Sequence, residues 1–172
     1  MNIDSNGYQM VVDVHGAGPA LLLVHGLGGT SNFWAPVVAA LAPTMRVIVP
    51  DLPCAGRSAL DPAVSLASLA RDLLALLDAL GVESAHVAGH SMGSIVCQHL
   101  VALAPARVRC PVLLIAGDDD TTAPPTSVAA LAASLPDAKV EMIAHCGHWT
   151  AVEKPAEVQA ALRCFYQIAT HE

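Results

Sequence analysis

Val87-Ala-Gly-His-Ser-Met-Gly93 is the stretch whose reading decides the fold. The short run from Ala85 to Ala88 leads into it, and an apolar, helix-like run follows it. The pattern is therefore G-x-S-x-G set between a strand and a helix. A serine at the tip of such a turn is held in a strained conformation, so its hydroxyl stands clear of the backbone. Glycines two residues to either side let strand and helix approach closely. The pentapeptide alone also fits an ordinary Gly-rich turn with a solvent-facing serine. The flanking strand and helix favour a nucleophile.

Working back towards the N-terminus, Leu66 to Leu80 forms an amphipathic helical stripe through Leu69, Leu73, Leu76 and Leu77, closed by Gly81. Arg46 to Pro50 and Ala20 to Val24 are apolar runs suited to strands buried on both faces of a parallel sheet. Between them, Thr30 or Ser31 is expected to cap a helix through Phe33, Trp34, Val37, Val38 and Leu41. Residues 3–14 read as two short strands around Ser5-Asn6-Gly7, a hairpin signal. His15-Gly-Ala-Gly-Pro19 reads as a turn, with His15 on the surface.

Towards the C-terminus, a helix from Ser91 to about Ala104 stops at Pro105. Val112 to Ala116 is a further strand, Ser127 to Leu135 a short helix, and Lys139 to Ile143 the last strand. Pro155 opens a closing helix with Val158, Ala161, Leu162 and Phe165 inward. Strands alternate with helices, which specifies an α/β fold with a mostly parallel sheet and helices on both faces.

Composition narrows the function. Hydrophobic residues make up 54% of 172, enough for one domain with a substantial core. The net charge of −7, without a basic cluster, argues against nucleic acid and anionic membrane as partners. The five cysteines are odd in number and lack C-x-x-C; reduced, mostly buried thiols are expected. No apolar run is long enough for a bilayer span. The first residues, Met1-Asn-Ile-Asp-Ser5, carry no signal-peptide pattern, so a cytoplasmic location is the expectation.

Ligands of open α/β sheets bind outside the carboxyl ends of the strands. His25-Gly26-Leu27, Asp51, Ser91, Asp118 to Asp120 and His148 all fall there. In chain order they offer a nucleophile, an acid and a base. His145, Cys146 and His148 share one short loop without a second cluster, so no metal is expected. Gly26 to Gly29 is not a dinucleotide fingerprint and lacks an acidic ribose partner, so no cofactor is expected.

Five pieces together resemble one family: His25-Gly-Leu-Gly-Gly29, Asp51-Leu-Pro with Gly56-Arg-Ser58, Gly89-His-Ser-Met-Gly93, Gly117-Asp-Asp-Asp-Thr-Thr-Ala-Pro124, and Gly147-His-Trp with Glu153-Lys-Pro155. Nearly the whole chain is similar to bacterial α/β-hydrolases of the esterase/lactonase kind, such as the 3-oxoadipate enol-lactonases. The resemblance implies a three-layer fold with an N-terminal antiparallel hairpin, and a single α/β-hydrolase domain over residues 1–172. It implies Ser91 as nucleophile, His148 as general base and Asp120 orienting it, because Gly117, Asp120 and Pro124 match the family spacing. Asp118 is the fallback acid, and otherwise a loop-stabilising carboxylate; Asp119 reads as a solvated charge. The backbone N–H groups of Leu27 and Met92 would form the oxyanion hole. The Leu27 side chain and Trp149 would line a substrate pocket, although Trp149 also fits a core role. His25 and His90 read as structural. Relatives that act on haloalkanes or epoxides carry Asp where Ser91 stands. The implied activity is hydrolysis of a carboxylic ester or lactone through an acyl-enzyme. The other open class is a non-catalytic protein of this fold that binds a small ligand or partner.

The chain also departs from that family. Only the helix ending at Pro105 and Arg107-Val-Arg-Cys-Pro111 separate the serine turn from the strand before Asp120. Family members place another strand and a helical cap there. The expectation is that the Val112–Ala116 strand slides by about one strand spacing, ~4.8 Å, to pair with the strand before Ser91. Ser91, His148 and an aspartate are expected to stay clustered. A capless site is expected to be open with an exposed apolar rim, which favours a broad-substrate or weak enzyme, or a homodimer that covers the rim.

Overall fold

The apolar runs fold as strands where both faces are covered. The computed structural model describes residues 1–5, 7–60, 63–108, 112–134 and 138–166. Strands β1 (Asn2–Ser5) and β2 (Tyr8–His15) form the N-terminal hairpin, with Ile3 opposite Met10. Asn6 of its turn lies outside the described residues. His15, expected in the following turn, is the last residue of β2, pairs with Val47 and is exposed. β3 (Ala20–Val24), β4 (Arg46–Pro50) and β5 (His86–Gly89) are parallel to one another, and β2 lies antiparallel to β4. The order is β1-β2-β4-β3-β5.

Successive residues of β3 face opposite sides. Leu22 and Val24 join Met10, Val12 and Ile48 under the Leu69–Leu77 stripe of α2 (Leu66–Ala79) and Val96 and Leu100 of α3 (Met92–Leu103). Leu21 and Leu23 join Val47, Val49, Val37, Leu41, Val158 and Leu162 on the other face. The latter four come from α1 (Ala35–Leu41) and the closing helix, Pro155–Phe165. The result is helix, sheet, helix in three layers, as expected.

Ser65 caps α2 through a reciprocal box with Ser68, and Gly81 takes φ +63° just past its end. The cap expected from Thr30 or Ser31 is not made by either side chain. The chain forms a 3₁₀ turn, Ser31–Trp34, before α1. The buried Asp51 carboxylate takes the Ser31 N–H at 2.7 Å instead. An acceptor from the end of β4 has replaced a local one.

The remaining strands, β6 (Leu113–Gly117) and β7 (Lys139–Ile143), form a separate parallel pair, with Leu113 opposite Lys139. The expected slide of β6 onto β5 does not occur: among the described residues no ladder joins them. Only an isolated bridge, Ala85 to Val108, begins the neighbouring strand position. Three sets of contacts hold the arrangement. Arg107 donates to the carbonyls of Glu83 and Val82 and pairs with Asp78, which pins the outgoing chain beside β5. The closing helix is anchored on α1 by Gln159 Nε2–H to Pro36 O and by Arg163 to Ala40 O. Tyr166 donates its hydroxyl to Val87 O at 3.2 Å and packs its ring on His86, tying the end of the closing helix to β5. A slide of β6 and β7 would strip the last helix from α1. The middle of the shortened connection, 109–111, lies outside the described residues.

α4 spans Pro125–Ser134, two residues earlier than expected, and Leu135 lies outside the described residues. A one-turn helix, α5 (Thr150–Glu153), precedes the closing helix, α6. Among the described cysteines, Cys97 and Cys146 are buried and Cys54 and Cys164 exposed, so the thiols are less uniformly internal than expected. No described helix is long and apolar enough to cross a membrane.

Candidate active site

Ser91 has φ +51° and ψ −120° between β5 and α3. That conformation is unfavourable for a residue with a side chain, and it leaves the serine exposed at the turn. The flanking glycines permit it. A Cβ on Gly89 would lie 2.5 Å from Gly93 backbone atoms, and one on Gly93 would lie 2.3 Å from Val24 O. Strand, turn and helix therefore meet at distances that only glycine allows. Met92 opens α3, so its backbone N–H is among those with no partner inside the helix.

The His25-Gly26-Leu27 turn lies directly against this serine. A Cβ on Gly26 would meet Ser91 Cβ at 3.1 Å and His90 Nδ1 at 3.0 Å. His25 fixes the turn: its Nδ1–H donates to Gly26 O at 2.8 Å, and its Nε2 accepts the Leu52 N–H at 3.0 Å. The Leu52 donor requires a lone pair on Nε2, so the imidazole is neutral. Burial also pushes its pKa down, against the opposing pull of Gly26 O and Asp51. Leu27 projects outward, 78% exposed.

Asp51 is fully buried and binds three groups: the Ser31 N–H, the Arg57 N–H and Arg57 Nε–H. Burial alone would raise its pKa. Those hydrogen bonds outweigh it and hold the carboxyl at about 2. Asp51 thus ties the Asp51–Ser58 loop to the turn before α1.

Asp118, Asp119 and Asp120 follow β6. Asp120 is buried; its Oδ1 accepts the N–H groups of Thr122 (2.7 Å) and Ala123 (2.9 Å), and its Oδ2 lies 2.8 Å from His148 Nδ1. Burial raises its pKa, but the two backbone donors and His148 more than compensate, and the net shift is downward. Asp118 accepts the Cys146 N–H at 3.4 Å, which braces the histidine loop, and Asp119 is exposed.

The loop after β7 brings His148 back to the serine turn. His90 Nε2–H donates to His148 O at 2.7 Å, and the two imidazole centroids are 4.9 Å apart. Trp149 stacks on His90 at 5.2 Å and stays 44% exposed, so it forms an aromatic wall rather than core. The structure therefore pairs Asp120 with His148 and sets both against the residue adjoining Ser91. Among the described residues, Ser91 Oγ itself makes no hydrogen bond.

One brace was not assigned a role from sequence. Glu153 accepts the N–H groups of Gly147 (2.7 Å) and Trp149 (2.9 Å), fastening both sides of His148. Its signal is a carboxylate placed to fold back on its own loop from a one-turn helix.

Known proteins resemble this chain in sequence and in fold. A protein of Azorhizobium caulinodans named as carbamate hydrolase RutD is 47% identical over 102 residues, covering 59% of this chain and 38% of that protein. The dihydrolipoyllysine-residue acetyltransferase component of the acetoin cleaving system of Pseudomonas putida is 48% identical over 92 residues, covering 53% and 25%. The chain thus spans well under half the length of these curated relatives. Among solved structures, a thermophilic esterase from Thermogutta terrifontis superposes with a TM-score of 0.92 at 19% identity, covering 97% of each chain. At that identity the likeness is one of fold. The sequence pattern of the α/β hydrolase fold matches residues 19–110 and 111–155, meeting at the shortened connection. That match covers most of the chain and includes the serine turn and the Asp120 and His148 loops, so the chain belongs to the α/β hydrolase fold family.

Proposed function

We propose that this chain is a serine hydrolase that cleaves a carboxylic ester or lactone through an acyl-enzyme on Ser91. The observation that carries the reading is the strained Ser91 turn set beside a preformed Asp120–His148 pair. His148 Nδ1–H donates to the Asp120 carboxylate, which leaves the Nε2 lone pair free as a base. As Ser91 Oγ attacks the carbonyl carbon, its proton passes to His148 Nε2. The carbonyl oxygen becomes an oxyanion, held by the N–H groups of Met92 and Leu27. Collapse expels the alcohol, which takes the proton from His148 Nε2. Water, deprotonated by the same nitrogen, then releases the acid. The Ser91–His148 contact closes in the substrate complex, as hydrogen bonds of this kind tighten on binding.

The substrate meets an open site. Leu27, on the turn packed against the serine, and Trp149, stacked on His90, both stand exposed, which suits a small ester with an apolar flank. Carbamates present the same acyl carbon, and the RutD relatives make them the second substrate class to assay.

The test is p-nitrophenyl acetate turnover by the wild type and Ser91→Ala, with pre-steady-state kinetics. The expected result is a nitrophenolate burst of up to one equivalent in the wild type and its loss in the variant. Equal turnover by both would favour the non-catalytic binding class, in which the unmade Ser91–His148 contact is the resting state.

A further inference from the structure

We infer that His90 is a positioning residue: its Nε2–H to His148 O hydrogen bond holds the histidine loop in register with Ser91, between β5 and β6, which share no ladder among the described residues. The inference rests on the proposed hydrolase reading, and it deepens that reading.

Ser91 follows β5, whereas Asp120 follows β6 and His148 follows β7. In a continuous sheet, hydrogen-bonded strands would fix those three loops relative to one another. Here β5 and β6 belong to different sheets. Asp120 and His148 are fixed to each other by the β6–β7 ladder, by Asp118 to Cys146 N and by their own 2.8 Å contact. None of these fixes the pair to Ser91.

His90 supplies that link at the site. It is 8% exposed and belongs to the turn that holds Ser91. It is packed between Phe33 (centroids 4.4 Å) and Trp149 (5.2 Å), so its ring has little freedom. His148 O can only accept, so Nε2 carries the proton and the bond is directional. Nδ1 is buried with no partner among the described residues, so the one polar contact of this side chain is the bond to His148. The bond reaches the main chain of His148, so it sets where the imidazole starts without competing for Nε2 or Nδ1.

Displacing a reacting group by about 1 Å costs up to about 100-fold in rate. The test compares His90→Phe, which keeps an aromatic ring but removes the donor, with His90→Gln, which returns an N–H close to the Nε2 position. For p-nitrophenyl acetate, His90→Phe is expected to lower kcat by about 10- to 100-fold with KM within about twofold, since the ring is buried away from the substrate. His90→Gln is expected to recover most of kcat. Amide hydrogen exchange of both variants is read alongside, with faster exchange expected at 145–150 in His90→Phe and elsewhere unchanged. Unaltered kcat in His90→Phe, or a His90→Gln variant as slow as His90→Phe, overturns the inference. If the wild type shows no Ser91-dependent turnover, the hydrolase reading fails by itself. Exchange then decides the positioning role: loosening confined to 145–150 supports it, and an unchanged or globally faster pattern overturns it.

Discussion

Asp120 spreads its charge over two backbone N–H groups and His148 Nδ1, whereas Asp118 touches only a distant backbone N–H. The two carboxylates stand two residues apart, and their substitutions should separate cleanly. Asp120→Asn removes the acceptor that fixes the His148 tautomer and is expected to cut kcat by about 10³–10⁴-fold. Asp118→Asn is expected to stay within about threefold, because a neutral amide oxygen still accepts the Cys146 N–H. Steady-state kinetics on p-nitrophenyl acetate checks both; equal losses would mean the assignment is wrong. The family spacing of Gly117, Asp120 and Pro124 singled out one aspartate of three before any geometry was known. Sequence could not reveal Glu153 in the same way. The residue stood within a family-like piece, but its role depends on the loop folding back over its own helix.

At the scale of elements, one side chain ties the last helix to β5. Tyr166 closes α6 and reaches Val87 O on β5, and burial of its phenol raises its pKa. Tyr166→Phe removes one hydrogen bond and is expected to cost about 1 kcal/mol in urea unfolding. Tyr166→Ala also opens the space beside His86 and is expected to cost about 2–3 kcal/mol, less than for a fully buried aromatic. If Tyr166→Ala unfolds like the wild type, the edge of β5 does not depend on this residue. A second case is Asp51, whose carboxylate caps the turn before α1 in place of Thr30 or Ser31. Asp51→Ala strands the Ser31 N–H and Arg57 and is expected to cost about 2–4 kcal/mol by the same measurement. The expectation of a local cap failed because a buried anion from another strand is a stronger acceptor than a neighbouring hydroxyl.

Across the whole molecule, two buried imidazoles make stability depend on pH. Burial lowers the pKa of both His25 and His90 from 6.5, only partly offset by their hydrogen bonds. Between those lowered values and 6.5 the unfolded chain binds protons that the native state refuses. Stability is therefore complete above about pH 6.5 and falls as the pH drops through that window, by up to about 1.4 kcal/mol per pH unit for each group. Asp51 acts lower down. Its native value of about 2 lies below the 3.8 of the unfolded chain, so its contribution is present above 3.8 and is lost as the pH falls towards 2. Urea midpoints between pH 8 and pH 4 should show the first loss; a flat profile from 7 to 5 would mean that both imidazoles titrate normally.

The sequence by itself determined the strands and helices, the three layers and the Ser, Asp, His order. These follow from local periodicity, from glycines that allow close approach, and from turn residues fixed in the chain. The serine turn is legible for the same reason, since G-x-S-x-G between a strand and a helix specifies its own backbone. Tertiary structure alone decided what happens after Pro105. The strand after the shortened connection was expected to move into the vacant place, because edge pairing favours it. The observed β6 stays with β7, because its five-residue ladder and the anchoring of α6 on α1 hold it there. The contacts of α6 with α1 join residues more than a hundred positions apart, and no local pattern encodes them. They leave β5 and β6 without a shared ladder among the described residues, and the His90 bond to His148 O spans that place at the site.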